Sequence, residues 1–426
     1  MHTTGAGVDH ELAASPLIDS ITQAADAAGK NVAPQPGNAS PTGHGAVGGT
    51  GAGAAGGSGG GAAQSSFGSE QPTSTTVHHH PAPTTAKAAP PAPPAPSAVQ
   101  GPLLTVGNTI VDANGHGVVL RGIERVGFQK PGAWPAITDA EMAHAQQWGA
   151  NVVRLPMGEA PLDPACSGQY EPNYLDTLDA VVHSITARGM VAILSLSFDT
   201  RTHCGSSFRW RMADTWSIPF WQTIAAHYKT NPLVVFDLYN EPYGITNDQW
   251  RDGGQLFDWS NGVPVQWTAV GMQDLYDAVR STGANNVVTI SGNGYGGAPS
   301  PILDGHAIRG TNIVYAAHAY TCSDPNNASL CTSFPANRQE ELEPQWQVVG
   351  HRYPVMITEF GWPNPNDGAY NASVIRLAQS QNPPWGWVAF GWDGTNTSPF
   401  GLVADLSTYA PTPSGAPVKN ALLAPP

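Results

Sequence analysis

Two glutamates stand where apolar runs of the sequence end, and as a pair they could do acid–base chemistry. Glu241 follows the run at 233–239 and is preceded by Asn240, whereas Glu359 lies near the end of the run at 354–360, before Phe-Gly-Trp. If both runs are strands of one barrel, the two carboxylates face each other over its mouth, as cleavage of a glycosidic bond requires. Mutual repulsion and burial would then push the pKa values of the two carboxyls apart, which leaves one protonated and one ionised. A single glutamate at a strand end is more often a surface or ion-paired residue, so the hypothesis depends on the pair.

Eight short apolar or β-branched runs are the elements that must position these glutamates. They lie at 118–123, 151–157, 190–198, 233–239, 286–291, 312–320, 354–360 and 387–392. Nearly continuous apolar runs are typical of strands that are buried on both faces, and helical patterns alternate with them. We therefore predict an α/β fold, a (β/α)8 TIM barrel, in which the fourth and seventh strands lie across the barrel mouth from one another. A doubly wound open sheet is the alternative, but LRGIERVGF, at the end of the first run, is not the Gly-rich phosphate turn that such a sheet favours.

The composition divides the chain into two parts. Residues 1–102 contain no Trp, Tyr or Cys and a single Phe, and they are rich in Gly, Ala and Pro. Such a segment cannot bury enough apolar surface to offset the entropy that ordering costs. We predict a disordered low-complexity arm and linker at 1–102 and a catalytic barrel domain at 103–426.

The charge of the chain restricts its partners. The net charge is −14, from 18 basic and 32 acidic residues. An acidic surface without a basic stripe argues against nucleic acid and anionic membranes as partners, and it is compatible with a neutral substrate. No run of about 18 apolar residues occurs, so no membrane span is predicted. We expect a monomer.

Two motifs give the sequence a family resemblance. The segments VVFDLYNEP and ITEFGW resemble the signatures of glycoside hydrolase family 5, the large cellulase family, and the resemblance extends from NTIVDANGHGVVLRGI to the end of the eighth run. It implies a retaining β-glycosidase that needs no metal and no other cofactor and that acts on a β-linked polysaccharide or oligosaccharide. The first choice of substrate is a cellulose-type β-1,4-glucan, with mannan, β-1,3-glucan and exo action on short chains as alternatives.

The resemblance also implies roles for individual residues. Glu359 matches the nucleophile of the family and Glu241 its acid/base, which would first protonate the leaving oxygen and then deprotonate water. The residues that match positions binding the sugar or supporting these carboxylates are Arg154, Asn240, His318, Tyr320 and Trp392, the last as the floor of the sugar site. Asn240 would contact the sugar 2-hydroxyl, and Arg154 would keep the nucleophile ionised, since a nearby cation favours the anionic form.

One position departs from the family pattern and leaves other functions open. Ser197 stands where the family usually has a histidine, and His203 follows six residues later. A catalytically weak protein that binds glycan or cell wall on the same barrel is therefore an alternative. A metal-dependent hydrolase that uses His318 and nearby acids is another.

Tryptophans are suited to lining a carbohydrate cleft, because the C–H faces of sugars lie flat on indole rings. Trp134, Trp210, Trp259, Trp362 and Trp392 fall in or beside the predicted strand-to-helix loops. We therefore expect Trp362 to bind substrate. By contrast, Trp148, Trp221 and Trp267 have the pattern of core residues on helix faces.

Four cysteines permit three pairings. We expect Cys166 to bond Cys204, because the loops after strands two and three are neighbours in a barrel, and Cys322 to bond Cys331 within one loop. A zinc site is the alternative, but no CxxC spacing occurs. Disulfides favour an oxidising compartment, so we predict an extracellular or cell-wall location, although the N-terminus shows no signal-peptide pattern.

Overall fold

A computed structural model describes residues 98–129, 132, 135–198, 204, 211–260, 263–320 and 337–425. Residues 1–97 of the arm predicted at 1–102, together with Trp134, Trp210, His203 and the Cys322–Cys331 pair, lie outside these residues and stay predictions. Val99, on the arm side of the predicted boundary, donates its backbone N–H to Gly189 and is buried.

Eight parallel strands close into a barrel, which confirms the predicted α/β barrel fold. Each strand pairs with the next along the chain, and the last pairs with the first. In chain order the strands are β3 (Arg121–Glu124), β4 (Val152–Gly158), β5 (Val191–Phe198), β6 (Val234–Asp237), β9 (Val288–Ser291), β10 (Ile313–Ala319), β11 (Val355–Phe360) and β12 (Gly386–Ala389). Every predicted run overlaps its strand, and three strands extend one residue beyond their runs, at Glu124, Gly158 and Gly386. The eighth strand ends at Ala389, three residues before Trp392.

Helices connect the barrel strands. They are α1 (Asp139–Gln147), α2 (Tyr174–Thr186), α3 (Ser217–Tyr228), α4 (Asn247–Asp252), α5 (Met272–Ser281), α6 (Asn337–Gly350), α7 (Ala369–Ser380) and α8 (Gly415–Leu423). The side chain of Thr138 caps α1 by accepting the N–H of Glu141. Within the described part of the chain, no helix is long and apolar enough to cross a membrane.

Two antiparallel hairpins are added to the barrel. The first, of β1 (Leu104–Val106) and β2 (Thr109–Val111), precedes the barrel strands, and the second, of β7 (Gly254–Ser260) and β8 (Val263–Ala269), follows α4. Trp267 lies in β8 and not on a helix, so its predicted setting is wrong, although it is buried and donates from Nε1 to Asp258 Oδ2 at 2.8 Å.

The interior of the barrel changes from apolar to charged along its axis. One apolar cluster joins Leu103 and Ile110 near the first hairpin to Val152, Ile193 and Val235 in the strands. Side chains two positions further along a strand share the same face, because the side-chain period of a strand is two. That position holds Arg154 in β4, Ser195 in β5 and Asp237 in β6, all of them fully buried. The carboxyl ends of the strands therefore open onto a buried polar layer, which is where barrel enzymes place their chemistry.

Asp393, after β12, provides a test of the barrel's pH-dependent stability. It is buried, with Oδ1 3.5 Å from Nη1 of Arg125, and burial raises its pKa from 3.8 to about 6. Between these two values the folded chain holds a proton that the unfolded chain has released, so the free energy of unfolding falls as pH rises. The carboxyl of Asp393 should lower the free energy of unfolding by about 3 kcal/mol between pH 4 and 7, and Asp393→Asn should abolish this fall.

Urea unfolding at four pH values measures this difference between variant and wild type. Asp176→Asn is the control, because it removes an exposed carboxyl from α2 and should leave the slope unchanged. Equal slopes for Asp393→Asn and wild type would contradict the prediction.

Candidate active site

Arg154 lies at the centre of the polar layer and contacts side chains from four other barrel strands or the residues that follow them. Its guanidinium is fully buried. Nη1 donates to Glu124 Oε2 at 2.6 Å and to Glu359 Oε2 at 2.8 Å. Nη2 and Nε donate to Asp237 Oδ2 at 2.7 and 3.0 Å. Nη2 also donates to Ser195 Oγ at 2.9 Å and to Asn240 Oδ1 at 2.6 Å.

Glu359, in β11, is held by two donors, one on each carboxylate oxygen. Oε2 accepts from Arg154, and Oε1 accepts the hydroxyl of Tyr320 at 2.7 Å. Burial, together with the charge of Glu359, raises the pKa of Tyr320 well above its ordinary value, so the phenol keeps the proton that it donates. Two donors to a carboxylate stabilise its anionic form. The arrangement is suited to an ionised nucleophile with fixed orientation.

Glu241 has different surroundings, with His318 as its neighbour. Oε1 of Glu241 lies 2.9 Å from Nδ1 of His318, and both side chains are buried. The backbone of Glu241 has φ of 60°, in the left-handed region that a residue with a side chain rarely adopts. Such strain is concentrated at functional sites, where the surrounding structure imposes it. Glu241 thus has an imidazole as a partner, whereas Glu359 has a guanidinium and a phenol.

The carboxyl groups of the two glutamates lie close together. One ligand atom each from Glu241, His318 and Glu359 lie within 4.8 Å of one another, so an oxygen of one carboxyl is no further than this from an oxygen of the other. In the described part of the chain this is the trio whose spacing could also hold a metal ion. The sequence-based expectation of no metal and no cofactor stays a prediction.

The structure places the two predicted tryptophans differently. Trp392 has no exposed surface and packs on Trp148 and Tyr409, with ring centroids 4.7 and 5.9 Å apart. A sugar could not contact it without rearrangement, so the expectation that Trp392 forms the floor of the sugar site is corrected: it is a core residue. Trp362 is 8% exposed and lies against Tyr370, and its role in substrate binding stays a prediction.

Ser197 occupies the inward position where the family usually has a histidine. Its Oγ lies 3.3 Å from Oγ of Ser195, which in turn accepts from Arg154. Ser197 thus extends the hydrogen-bond network of the guanidinium by one hydroxyl. His203 lies outside the described residues.

Two carboxylates of the cluster were not among the residues that the sequence singled out. Glu124 is the last residue of β3, and Asp237 the last of β6. The signal that identified Glu241 and Glu359, an acid where an apolar run ends, applies to both. Glu124 directly follows the predicted run at 118–123, and Asp237 lies within the quoted motif.

A glycine supports the histidine, and its replacement is a second test. Gly296 has φ of 75°, accepts the backbone N–H of His318, and a Cβ added there would lie 2.8 Å from Cγ of the imidazole. Gly296→Ala should displace His318 from Glu241 and lower kcat by about 100-fold, the usual cost of misplacing a group by about 1 Å.

Steady-state kinetics check this expectation against a matched control. Gly294 has φ of 59°, so alanine strains the backbone equally, but its added Cβ would meet only Cβ of Ala298 at 3.5 Å. Gly294→Ala should therefore keep most of the activity. Equal losses in the two variants would show that backbone strain alone is responsible.

The predicted bond between Cys166 and Cys204 is confirmed, with Cα atoms 4.5 Å apart. It joins the loop after β4 to the loop after β5. Both loops leave the carboxyl ends of their strands, so the disulfide constrains the face of the barrel that carries the site.

Comparisons with known proteins agree with this geometry. Residues 111–396 match the family described as Cellulase (glycosyl hydrolase family 5). The chain is 25% identical over 326 residues to an endoglucanase of Paenibacillus polymyxa, covering 67% of this chain and 79% of that protein. It is 26% identical over 297 residues to a mannan endo-1,4-beta-mannosidase of Salipaludibacillus agaradhaerens, covering 68% and 81%.

A solved structure shares the fold. The beta-glucanase SdGluc5_26A of Saccharophagus degradans, in complex with cellotetraose, superposes with a TM-score of 0.58 at 19% identity, covering 78% of this chain and 97% of that one. The matched segment at 111–396 contains all eight barrel strands together with Arg154, Glu241 and Glu359. The chain therefore belongs to glycoside hydrolase family 5, and it is a cellulase-like glycoside hydrolase.

Proposed function

We propose that the protein hydrolyses β-1,4-linked glucan with retention of the anomeric configuration, with Glu359 as nucleophile and Glu241 as acid/base. The observation that carries the proposal is the pair of carboxyls with oxygens no more than 4.8 Å apart and with different partners. Retaining enzymes hold their two carboxyl groups about 5–5.5 Å apart, whereas inverting enzymes leave about 6.5–9.5 Å for a water.

The first step breaks the glycosidic bond and forms a glycosyl-enzyme. Glu359, held by Arg154 and Tyr320, attacks the anomeric carbon while Glu241 gives its proton to the leaving oxygen. Asn240 accepts from Arg154 through Oδ1, so its amide nitrogen remains as a donor for the sugar 2-hydroxyl, a contact that strengthens in the transition state.

The second step returns the enzyme to its starting state. Glu241, now ionised, takes a proton from a water that attacks the anomeric carbon, and Glu359 leaves as a carboxylate. Each glutamate regains its first protonation state, and the net change is addition of one water across the bond.

The test has two parts, the range of substrates and the stereochemistry. Purified protein is assayed on carboxymethyl cellulose, glucomannan, mannan and β-1,3-glucan, and the anomer first released from a soluble cello-oligosaccharide is followed by proton NMR. We expect the highest kcat/KM on β-1,4-glucan and a β-anomer as first product. Release of the α-anomer would overturn retention.

Mannan is the second candidate substrate, because one of the relatives is named a mannan endo-1,4-beta-mannosidase. A higher kcat/KM on mannan than on glucan would replace glucan as the substrate and leave the roles of the two glutamates intact. Binding of either polysaccharide without release of reducing ends would instead favour a glycan-binding protein without turnover.

We further propose that the protein is a monomer in an extracellular or cell-wall location. The disulfide between Cys166 and Cys204 supports an oxidising compartment. Light scattering coupled to size exclusion measures the mass, and thiol titration of protein from native culture measures whether the bond is formed.

A further inference from the structure

Glu124 shares a donor nitrogen with the proposed nucleophile. The carboxyl of Glu124, at the carboxyl end of β3, lies with Oε2 2.6 Å from Nη1 of Arg154, the same nitrogen that donates to Glu359 Oε2 at 2.8 Å. Both side chains are inside the barrel mouth, and the residues are 3% and 8% exposed. A charge on Glu124 therefore directly affects the hydrogen bond between Arg154 and Glu359.

The charges of this cluster do not balance if every carboxyl is ionised. Glu124, Asp237 and Glu359 all accept from the single guanidinium of Arg154. One positive charge against three buried negative charges leaves an excess of two in a region with little water. Burying an uncompensated charge is so costly that a carboxyl takes up a proton instead. At least one member of the cluster should therefore be a neutral acid.

Hydrogen bonding identifies which carboxyl is neutral. Asp237 Oδ2 accepts two N–H groups of Arg154, and Glu359 accepts one from Arg154 and the hydroxyl of Tyr320, so both have donors that favour the anion. Within the described residues, the carboxyl of Glu124 accepts from one side-chain donor, Nη1 of Arg154. Burial raises the pKa of Glu124 well above its ordinary value; Glu359 and Asp237 raise it further, whereas Arg154 opposes the shift.

We propose that Glu124 is a positioning residue that works as a neutral acid: it accepts from Arg154 without competing for its charge, which stays on Glu359 and Asp237. This inference rests on the proposed function of Glu359. A neutral acceptor fixes Nη1 in place at the nucleophile, whereas an anion at the same point would draw the guanidinium towards itself.

The other charged groups near Glu124 are consistent with this state. Tyr320, after β10, keeps its proton and contacts Glu359. Arg125, the next residue along the chain, is itself engaged by Glu141 of α1 at 2.5 Å and lies 3.5 Å from Asp393, after β12. These two acids account for the charge of Arg125, so this second arginine is not free to neutralise Glu124.

The experiment compares Glu124→Gln with Glu124→Leu. Glutamine is neutral and keeps an acceptor for Arg154, whereas leucine removes the acceptor. We expect kcat of Glu124→Gln to stay within about threefold of wild type, since one neutral acceptor replaces another. Glu124→Leu should lose about 100-fold in kcat with a smaller change in KM, because Arg154 then holds the nucleophile less precisely.

Two further measurements separate this role from a merely structural one. The rate at which a 2-deoxy-2-fluoro-β-glycoside with a good leaving group labels Glu359 should fall in Glu124→Leu and be retained in Glu124→Gln. The difference infrared spectrum of wild type minus Glu124→Gln should contain the carbonyl band of a protonated carboxyl at the working pH. Arg121→Leu, which removes a buried arginine from the start of β3 and its bonds to the backbone of Ala421 and Ala424, is the control for lost stability and should leave the labelling rate unchanged.

The outcomes distinguish failure of the inference from failure of the proposed function. Equal losses in the Gln and Leu variants, or a missing carbonyl band, would show that Glu124 is ionised and overturn the inference. Wild-type activity in Glu124→Leu would remove its positioning role. Wild-type protein that is not labelled at Glu359 would instead disprove the proposed nucleophile, and the infrared result still reports the protonation state of Glu124.

Discussion

Glu359→Gln is expected to lower kcat on β-1,4-glucan by about 10⁴-fold or more, the scale seen when a nucleophile is removed. Glutamine keeps the shape of the side chain and an acceptor for Arg154 or Tyr320, but its amide cannot form the glycosyl ester. Binding should suffer much less than turnover, because the lost interaction is a bond that forms only during the reaction. Initial rates and the binding of a cello-oligosaccharide by calorimetry measure the two effects separately.

The control for this variant is Glu141→Gln. Glu141 is also a buried glutamate bonded to an arginine, Arg125, but it lies in α1 and not at the carboxyl end of a barrel strand. Its replacement should lower stability and leave kcat close to that of wild type at temperatures where the protein is folded. Glu359→Gln with near-normal turnover would remove Glu359 from the chemistry.

Azide tests the division of labour between the two carboxyls. With an activated aryl glycoside, Glu359→Ala plus azide should give the α-glycosyl azide, because the anion attacks directly where the nucleophile stood. Glu241→Ala plus azide should give the β-product, because azide then attacks a glycosyl-enzyme that still forms on Glu359. If Glu359→Ala gave the β-product and Glu241→Ala the α-product, the roles of nucleophile and acid/base would have to be reversed.

The barrel could be predicted from the sequence because its strands are buried on both faces. Each strand lies between the barrel interior and a helix, so it appears as a nearly continuous apolar run, and eight such runs sufficed to infer the fold. Strand ends were less predictable. The eighth run was extended to Trp392 because its aromatic residues continue past the strand, which ends at Ala389.

The carboxyl pair of the site was also accessible from the sequence, and the finer features were not. Glu241 and Glu359 stand where strands end, and barrel topology brings those ends together. Trp392 looked like a sugar platform because burial is a property of the packed structure, where Trp148 and Tyr409 cover its ring. A glutamate such as Glu124 reveals its role only when the distance to Arg154 is known.

The hairpin of β7 and β8 shows the same limit for secondary structure. The sequence predicts Trp267 as a core residue on a helix face, but it belongs to a strand whose pairing partner is Gly254–Ser260. Whether a segment forms a strand depends strongly on the residues that face it across the sheet. The periodicity of a single segment does not report those partners. The burial of Trp267 is therefore predicted correctly, whereas its secondary structure is predicted wrongly.

Arg154→Lys should lower both stability and turnover, although the charge is kept. Lysine carries three donors on one nitrogen, whereas the guanidinium of Arg154 reaches five side chains from three nitrogens. Leaving buried carboxylates unpaired costs about 3–5 kcal/mol, so we expect a loss of this size in the free energy of unfolding. We also expect kcat to fall by at least about 100-fold, because Glu359 loses the donor that orients it.

Arg121→Lys is the matched control for arginine burial. Arg121 is 5% exposed at the start of β3, and its guanidinium donates to backbone carbonyls of Ala421 and Ala424 near the C-terminus. Its replacement should destabilise the fold without changing kcat or the pH dependence of kcat/KM. Urea unfolding and initial rates, measured on both variants, separate a general packing cost from loss of the charge centre.

A triple variant that removes most charges of the cluster tests whether Arg154 is needed for stability or for the reaction. The triple variant Arg154→Met, Glu124→Gln, Asp237→Asn removes the arginine together with two of the carboxyls that it pairs. Replacing a whole buried ionic group by neutral residues is often neutral or stabilising, so this variant should regain most of the stability that Arg154→Lys loses. It should nevertheless stay inactive, because Glu359 has no cation left to hold it ionised and in place. Activity that returns along with stability would show that Arg154 acts on the fold alone.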